Sequence, residues 1–134
     1  MRYHLRRVLL GALALSATTA VLTTGSAFAS EPPGGIVWDH VYKTTGVTVY
    51  VEEHGDWVSL CDSAANGSGA YVVVQDRVEQ SYRLEVKNGY GSCMTRSAAD
   101  GYQFDLHEGD TIGLEMDGDG SGSGHKYVTF VNDH

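Results

Sequence analysis

The chain has 134 residues, a formal net charge of −8 and 42% hydrophobic residues, which limits it to one domain with a thin core. All 17 Asp and Glu follow Ser30, but only six of the nine Lys and Arg do, so this part carries a formal charge of −11. Such a surface repels phosphate backbones and anionic lipids, which disfavours nucleic-acid and membrane partners. We favour solubility as the reason for the acidity, since net charge keeps a protein monomeric and dispersed, over an acidic site for a cationic partner.

Residues 1–29 have the pattern of a secretory signal peptide. A basic start over residues 2–7 precedes an apolar run from Val8 to about Leu22, and Ala27-Phe28-Ala29 fits the small-x-small cleavage pattern. The apolar run is too short and too rich in Ser and Thr for a membrane anchor. We therefore predict cleavage before Ser30 and an extracellular protein. A general secretory signal is favoured over a twin-arginine signal.

The mature chain is predicted to be all-β. Residues 30–35 contain both prolines and form a flexible lead-in, and residues 36–134 form a single domain. Short alternating segments at roughly 8–12-residue spacing predict a small antiparallel β-sandwich of seven or eight strands. The predicted strands cover residues 36–43, 47–52, 57–61, 70–76, 81–87, 102–106, 112–116 and 127–131.

The side-chain pattern also predicts which faces are buried. Val47, Val49 and Val51 share an inward face, whereas the inward face of 57–61 stays open between its odd and even positions. The apolar run 70–74 predicts a central strand covered on both faces. Residues 97–100 allow one helical turn at most.

Cys61 and Cys93 are the only cysteines. An even pair in an exported protein predicts a disulfide, which would close a loop of about 33 residues. The alternative is a reactive or metal-binding pair, but the spacing is far too wide for a C-x-x-C redox site.

Three short motifs carry a resemblance to a family. The runs 58–62 (Val-Ser-Leu-Cys-Asp), 70–72 (Ala-Tyr-Val) and 89–93 (Gly-Tyr-Gly-Ser-Cys) resemble a group of small secreted disulfide-containing β proteins of actinomycetes, mostly uncharacterised. A later segment, 106–110 (Leu-His-Glu-Gly-Asp), resembles that group too. The resemblance implies a secreted, disulfide-bonded β domain and supplies no catalytic residues.

Catalytic motifs find no support in the sequence. It has no G-x-S-x-G elbow and no phosphate-cradling glycine motif before a helix. Glu52 and Glu53 are adjacent on a strand, so they should point to opposite faces, which does not suit shared acid–base chemistry. We predict no enzyme, no catalytic residue and no cofactor.

Metal ligands are considered at two places. Asp105 and His107 would share one strand face, and His40, His54 or His125 could join them, but exposed histidine without a metal is favoured. The loop 117–124 places Asp117, Asp119 and Ser121 at alternate positions, as in the first half of an EF-hand. Its twelfth position is Val128 instead of Glu, so a plain hairpin loop is favoured and no metal is predicted.

Exposed aromatic residues are the best sign of function. Trp38, Tyr42, Tyr50 and Tyr90 are not required by any core pattern and could hold a polysaccharide or a protein partner on a sandwich face. The leading hypothesis is therefore a non-catalytic extracellular binding or interaction module. A secreted enzyme or protein inhibitor acting through surface loops is the alternative.

Overall fold

The computed structural model describes residues 32–76, 80–87 and 89–134. The predicted signal peptide and its cleavage site lie outside these residues. No helix in the described part of the chain is long and apolar enough to cross a bilayer.

Eight strands form two four-stranded antiparallel sheets, which confirms the predicted all-β sandwich. The first sheet has the order β1-β2-β3-β6 and the second the order β5-β4-β7-β8. The strands are β1 (His40–Thr44), β2 (Val47–Glu52), β3 (Trp57–Asp62), β4 (Ala70–Asp76), β5 (Gln80–Val86), β6 (Cys93–Arg96), β7 (Thr111–Asp117) and β8 (Lys126–Val131).

The core lies between the sheets and follows the period of two. Val49 of β2 faces inward beside Leu60 of β3, and Val72 of β4 lies opposite Met116 of β7; all four are fully buried. The inward face of β3, which the sequence left open, therefore consists of Val58 and Leu60. Burial of one face fixes the register, because a one-residue slip would turn every valine outward.

The predicted central strand is confirmed, since β4 pairs with both β5 and β7. Its second face is only partly covered, in contrast to the prediction: Tyr71 and Val73 are half-buried. The guanidinium of Arg83, on β5, lies 3.8 Å from the centre of the Tyr71 ring and shields part of that face.

The connection between β6 and β7 corrects one strand prediction. Residues 102–106 do not form a strand; instead, two single-turn 3₁₀ helices cover Ala98–Asp100 and Tyr102–Phe104. Gly101 between them has φ of 149°, a conformation that favours glycine and interrupts an extended chain. Residues 97–100, which allow one helical turn at most, form such a turn at Ala98–Asp100, whereas the edge strand β6 was not predicted.

The disulfide between Cys61 and Cys93 is formed, as predicted. The two cysteines are direct partners on β3 and β6, with Cα atoms 4.1 Å apart, as in a non-hydrogen-bonded pair of antiparallel strands. Both belong to the outer face of the first sheet, because Val58 and Leu60 occupy the inner face. The closed loop runs from the first sheet through β4 and β5 of the second sheet and back.

Candidate functional site

An aromatic groove lies on the outer face of the first sheet. The rings of Trp38 and Tyr50 are 5.6 Å apart and tilted by 53°, within the range of favourable aromatic pairs. Tyr50 points outward because it alternates with the buried Val49 and Val51 on β2. The groove has a volume of about 280 Å³, and its lining also includes Pro32, Pro33, Gly34 and Ile36.

Only two of the four aromatic residues singled out in the sequence meet in this groove. Tyr42 packs against the core instead, because it pairs with the inward-facing Val49 in the β1–β2 register. Burial, and secondarily the charge of Glu53, raise the pKa of Tyr42. Tyr90 is 59% exposed in the turn before β6 and does not line the groove.

Histidines and carboxylates collect at one end of the sandwich, here called the histidine end: residues 39–40, 52–56, 76, 105–110 and 132–134. Four of the five histidines in the described ranges lie there, namely His40, His54, His107 and His134. Three groups of carboxylates and imidazoles at this end have potential ligand atoms within 4.8 Å of one another. The fifth histidine, His125, hydrogen-bonds with Glu115 (2.9 Å) on β7, at the other end of the sandwich.

Glu53 organises the first part of the histidine end. It is 4% exposed, and its two carboxylate oxygens have different partners. Oε1 hydrogen-bonds with the His40 ring, and Oε2 accepts the backbone N–H of Asp133 (3.3 Å) and lies 3.8 Å from His134 Nε2. The rings of His54 and His134 stack with centroids 4.1 Å apart. Glu53 is therefore a buried carboxylate whose hydrogen-bonding capacity is used.

Asp76 and His107 form the second part. Asp76 continues the inward row of Val72 and Val74 on β4 and is 2% exposed. Its Oδ2 accepts hydrogen bonds from the backbone N–H of His107 (2.8 Å) and pairs with His107 Nδ1 (2.6 Å). A turn closed by the Asp110 N–H and the His107 carbonyl (3.2 Å) brings Asp110 to the same place.

Asp56 and Asp105 form a carboxyl pair beneath a surface cleft. The cleft has a volume of about 390 Å³ and is lined by Gln80, Tyr102, Asp105, Leu106, His107 and Glu108. Asp56 is buried, accepts a hydrogen bond from Asn132 Nδ2 (3.1 Å) and hydrogen-bonds with the Asp105 carboxyl. Burial, against the lowering effect of the Leu106 backbone and Asn132, raises the pKa of Asp56 to about 6.

The raised pKa of Asp56 predicts a specific pH effect on stability. An acid whose pKa is higher in the folded state stabilises the fold below its unfolded pKa of 3.8, and this contribution is lost as the pH rises towards 6. The loss is about 3 kcal/mol. We expect Asp56→Asn to lose this dependence, since Asn tolerates the positive φ of 53° at this position.

The measurement is the melting temperature of the wild type and of Asp56→Asn between pH 4 and pH 7. The variant should gain stability relative to the wild type as the pH rises, because it buries no ionised carboxylate. A difference in melting temperature between the two proteins that is constant from pH 4 to pH 7 would contradict the raised pKa of Asp56.

The acidic loop 117–124 connects β7 and β8 and uses its carboxylates for its own turns. Asp117 Oδ1 accepts the N–H of Asp119 (3.0 Å), and Asp119 Oδ1 accepts the N–H groups of Ser121 (2.9 Å) and Gly122 (3.1 Å). Hydrogen bonds from the Ser123 hydroxyl and from the backbone N–H of Ser121 lower the pKa of Asp119. These contacts are those of a hairpin loop rich in Asx turns.

The structure separates the residues that the sequence combined into one possible metal site. Asp105 and His107 do not share a strand face: Asp105 contacts Asp56, and His107 contacts Asp76. His125 is remote from both. Sequence reasoning missed Asp76 and Asp56, although a charged residue continuing the inward row of Val72 and Val74 is a signal that could have revealed Asp76.

Fold and sites together define a disulfide-bonded β-sandwich with an aromatic groove on one face and a cleft of titratable groups at one end. Comparisons with protein-family models, with curated proteins and with solved structures found no match.

Proposed function

We propose that this chain is an exported, non-catalytic binding domain that holds its ligand in the aromatic groove of Trp38 and Tyr50. The observation that carries the proposal is the pairing of these two rings above a groove walled by Pro32, Pro33 and Ile36. Concave, largely apolar surfaces with aromatic walls are typical of ligand sites.

Export is supported by the N-terminal sequence pattern and by the disulfide, since disulfides persist in oxidising compartments. The acidity of the chain after Ser30 restricts the class of ligand. A formal charge of −11 repels polyanions but not neutral or cationic polymers. Sugar rings present flat apolar faces that can lie against aromatic side chains, so we propose a neutral or cationic polysaccharide as the ligand class.

The test is retention of the chain from Ser30 onwards on insoluble cellulose, chitin and deacetylated chitin. We expect retention on at least one of them. Trp38→Ala and Tyr50→Ala should each weaken that binding at least tenfold, because each removes one wall of the groove. Tyr90→Ala removes an exposed aromatic ring outside the groove and should leave binding unchanged.

Melting temperatures of the variants show whether they remain folded. Absence of retention on all three polymers would contradict the polysaccharide as ligand. Retention that is equally strong in folded Trp38→Ala and Tyr50→Ala would contradict the groove as the site.

An enzyme is the second candidate function, and a specific observation favours it. Asp105 and His107 line the cleft at the histidine end, and each contacts a buried carboxyl group, Asp56 and Asp76 respectively. A carboxyl group with a raised pKa beside a cleft, such as Asp56, is typical of acid–base catalysis. The same experiment separates the two functions, because an enzyme would release soluble fragments from the polymer and a binding domain would leave it intact.

A further inference from the structure

We propose that Asp76, His107 and Asp110 bind one Zn²⁺ ion at the edge of the cleft at the histidine end. The potential ligand atoms of these three residues lie within 4.8 Å of one another. Ligands about 2.1 Å from a zinc ion are roughly 3.4 Å apart in tetrahedral geometry, so small side-chain movements bring all three into contact with one ion.

The local fold explains why these three residues meet. Asp76 is the last residue of β4, opposite Ile112 of β7, and the segment just before β7 supplies the other two. The turn from His107 to Asp110, with Gly109 at φ of 78°, places residues three apart side by side. The site thus depends on the β4–β7 register and on one turn.

A second observation points to a ligand at this place. Asp76 is 2% exposed, and its Oδ1 is buried without a hydrogen-bond partner among the described residues. A buried carboxylate is costly unless it is paired or coordinates a metal. Its other oxygen, Oδ2, contacts His107, so the unpartnered oxygen belongs to a carboxylate that already faces the second ligand.

The surroundings of Asp76 also favour a cation. Tyr82 on β5 pairs with Val74, two residues before Asp76 on β4, so Tyr82 and Asp76 lie on the same face of the sheet. The Tyr82 hydroxyl is likewise buried without a hydrogen-bond partner in the described part of the chain. A divalent ion beside Asp76 would offset the negative charge of its carboxylate. Among the described residues, no cationic group that is equally buried does so.

The mixed donor set favours zinc over calcium and magnesium. Imidazole nitrogen and carboxylate oxygen are ligands that zinc accepts, whereas calcium and magnesium prefer oxygen alone. Three protein ligands, of which His107 lines the open cleft, leave a coordination position for water or for a ligand group. Glu53 differs from Asp76, since both of its oxygens have protein partners.

The experiment titrates ZnCl2 and, separately, CaCl2 into the chelator-treated chain from Ser30 onwards, with calorimetry and melting temperature as readouts. We expect Zn²⁺ to bind and to raise the melting temperature, and Ca²⁺ to bind at least tenfold more weakly. His107→Ala should reduce Zn²⁺ affinity at least tenfold. Asp110→Asn, a half-buried position outside the core, tests the same site without disturbing β4.

Two controls keep the test specific. His125→Ala alters a histidine–carboxylate pair without a nearby third ligand group among the described residues and should leave Zn²⁺ affinity unchanged. The double variant His54→Ala/His134→Ala removes the stacked pair beside Glu53 and should also bind normally. Absence of Zn²⁺ binding at millimolar concentration would overturn the proposal, as would loss of binding in the double variant but not in His107→Ala.

Discussion

Removal of the Cys61–Cys93 disulfide is expected to lower the free energy of unfolding by about 3–4 kcal/mol. The bridge joins residues separated by 32 positions, and in the chain-entropy model a loop of this length gives that magnitude. For a domain of this size, each kcal/mol corresponds to roughly 4–8 °C in melting temperature. The loss should therefore exceed about 12 °C, a large share of the stability of a small domain.

The position of the disulfide determines which strand loses stability first when the bond is removed. The bridge attaches β6 to β3, and β6 is a four-residue edge strand without a fully buried residue. Little apolar burial holds this strand once the bridge is absent. Hydrogen exchange should show that the amide protons of β6 lose protection before those of β4, which is paired on both sides.

Two forms of the protein separate the tether from side-chain packing. Reduced wild type keeps both sulfur atoms but lacks the covalent link, whereas Cys61→Ala/Cys93→Ala lacks both. Similar losses in the two forms would assign the effect to the tether. Alkylation followed by intact-mass measurement checks the starting state, and two reactive thiols in the unreduced, folded protein would contradict the disulfide.

The sequence pattern predicted the strands of the sandwich correctly where one face of a strand is buried and the other is exposed. On β5, and on β2 except at the buried Thr48, the alternation of apolar and polar residues matches the observed burial, because the period of two reports burial directly. Residues 102–106 also alternate, but Tyr102 is 83% exposed and the chain forms a 3₁₀ turn. Alternation without a sheet partner was misleading there, and β6 has too little burial contrast to be recognised.

The candidate sites were predictable only as far as they are local. Trp38 and Tyr50 could be identified as outward-facing aromatics, yet their contact depends on the path of the segment before β1. The contact between Asp76 and His107 joins residues 31 positions apart, and it requires the pairing of β4 with β7. The disulfide was predictable because a chain with only two cysteines leaves one pairing.

Gly118→Ala is expected to destabilise the fold by roughly 1–3 kcal/mol or more, through a backbone contact at the end of the sandwich opposite the histidine end. A Cβ atom at residue 118 would lie 2.2 Å from the carbonyl carbon of Gly46 and 2.6 Å from the backbone nitrogen of Val47. Because these are backbone atoms, no side-chain rotation relieves the clash. Overpacking of this kind costs roughly 1–3 kcal/mol and sometimes more.

This contact matters because it joins the two sheets. Gly46 forms the β1–β2 turn of the first sheet, and Gly118 follows β7 of the second. The carbonyl of Gly118 also accepts a hydrogen bond from Asn66 Nδ2 (2.8 Å), and the carbonyl of Gly124 accepts one from the Thr44 hydroxyl (2.9 Å). Separating Gly118 from Gly46 therefore also strains the hydrogen bonds that close this end.

Two glycines in open space supply matched controls for thermal unfolding. Gly34→Ala meets no atom within 4 Å and needs no unusual φ, so it should change the melting temperature little, and the excess loss in Gly118→Ala measures the steric clash. Gly46 and Gly122 have nearly equal φ of 76° and 80°, but only at Gly46 would an added Cβ meet other atoms within 4 Å. Gly46→Ala should therefore lower the melting temperature well beyond Gly122→Ala, which carries the cost of backbone strain alone. Equal losses within each pair would show that the two sheets do not meet through these glycines.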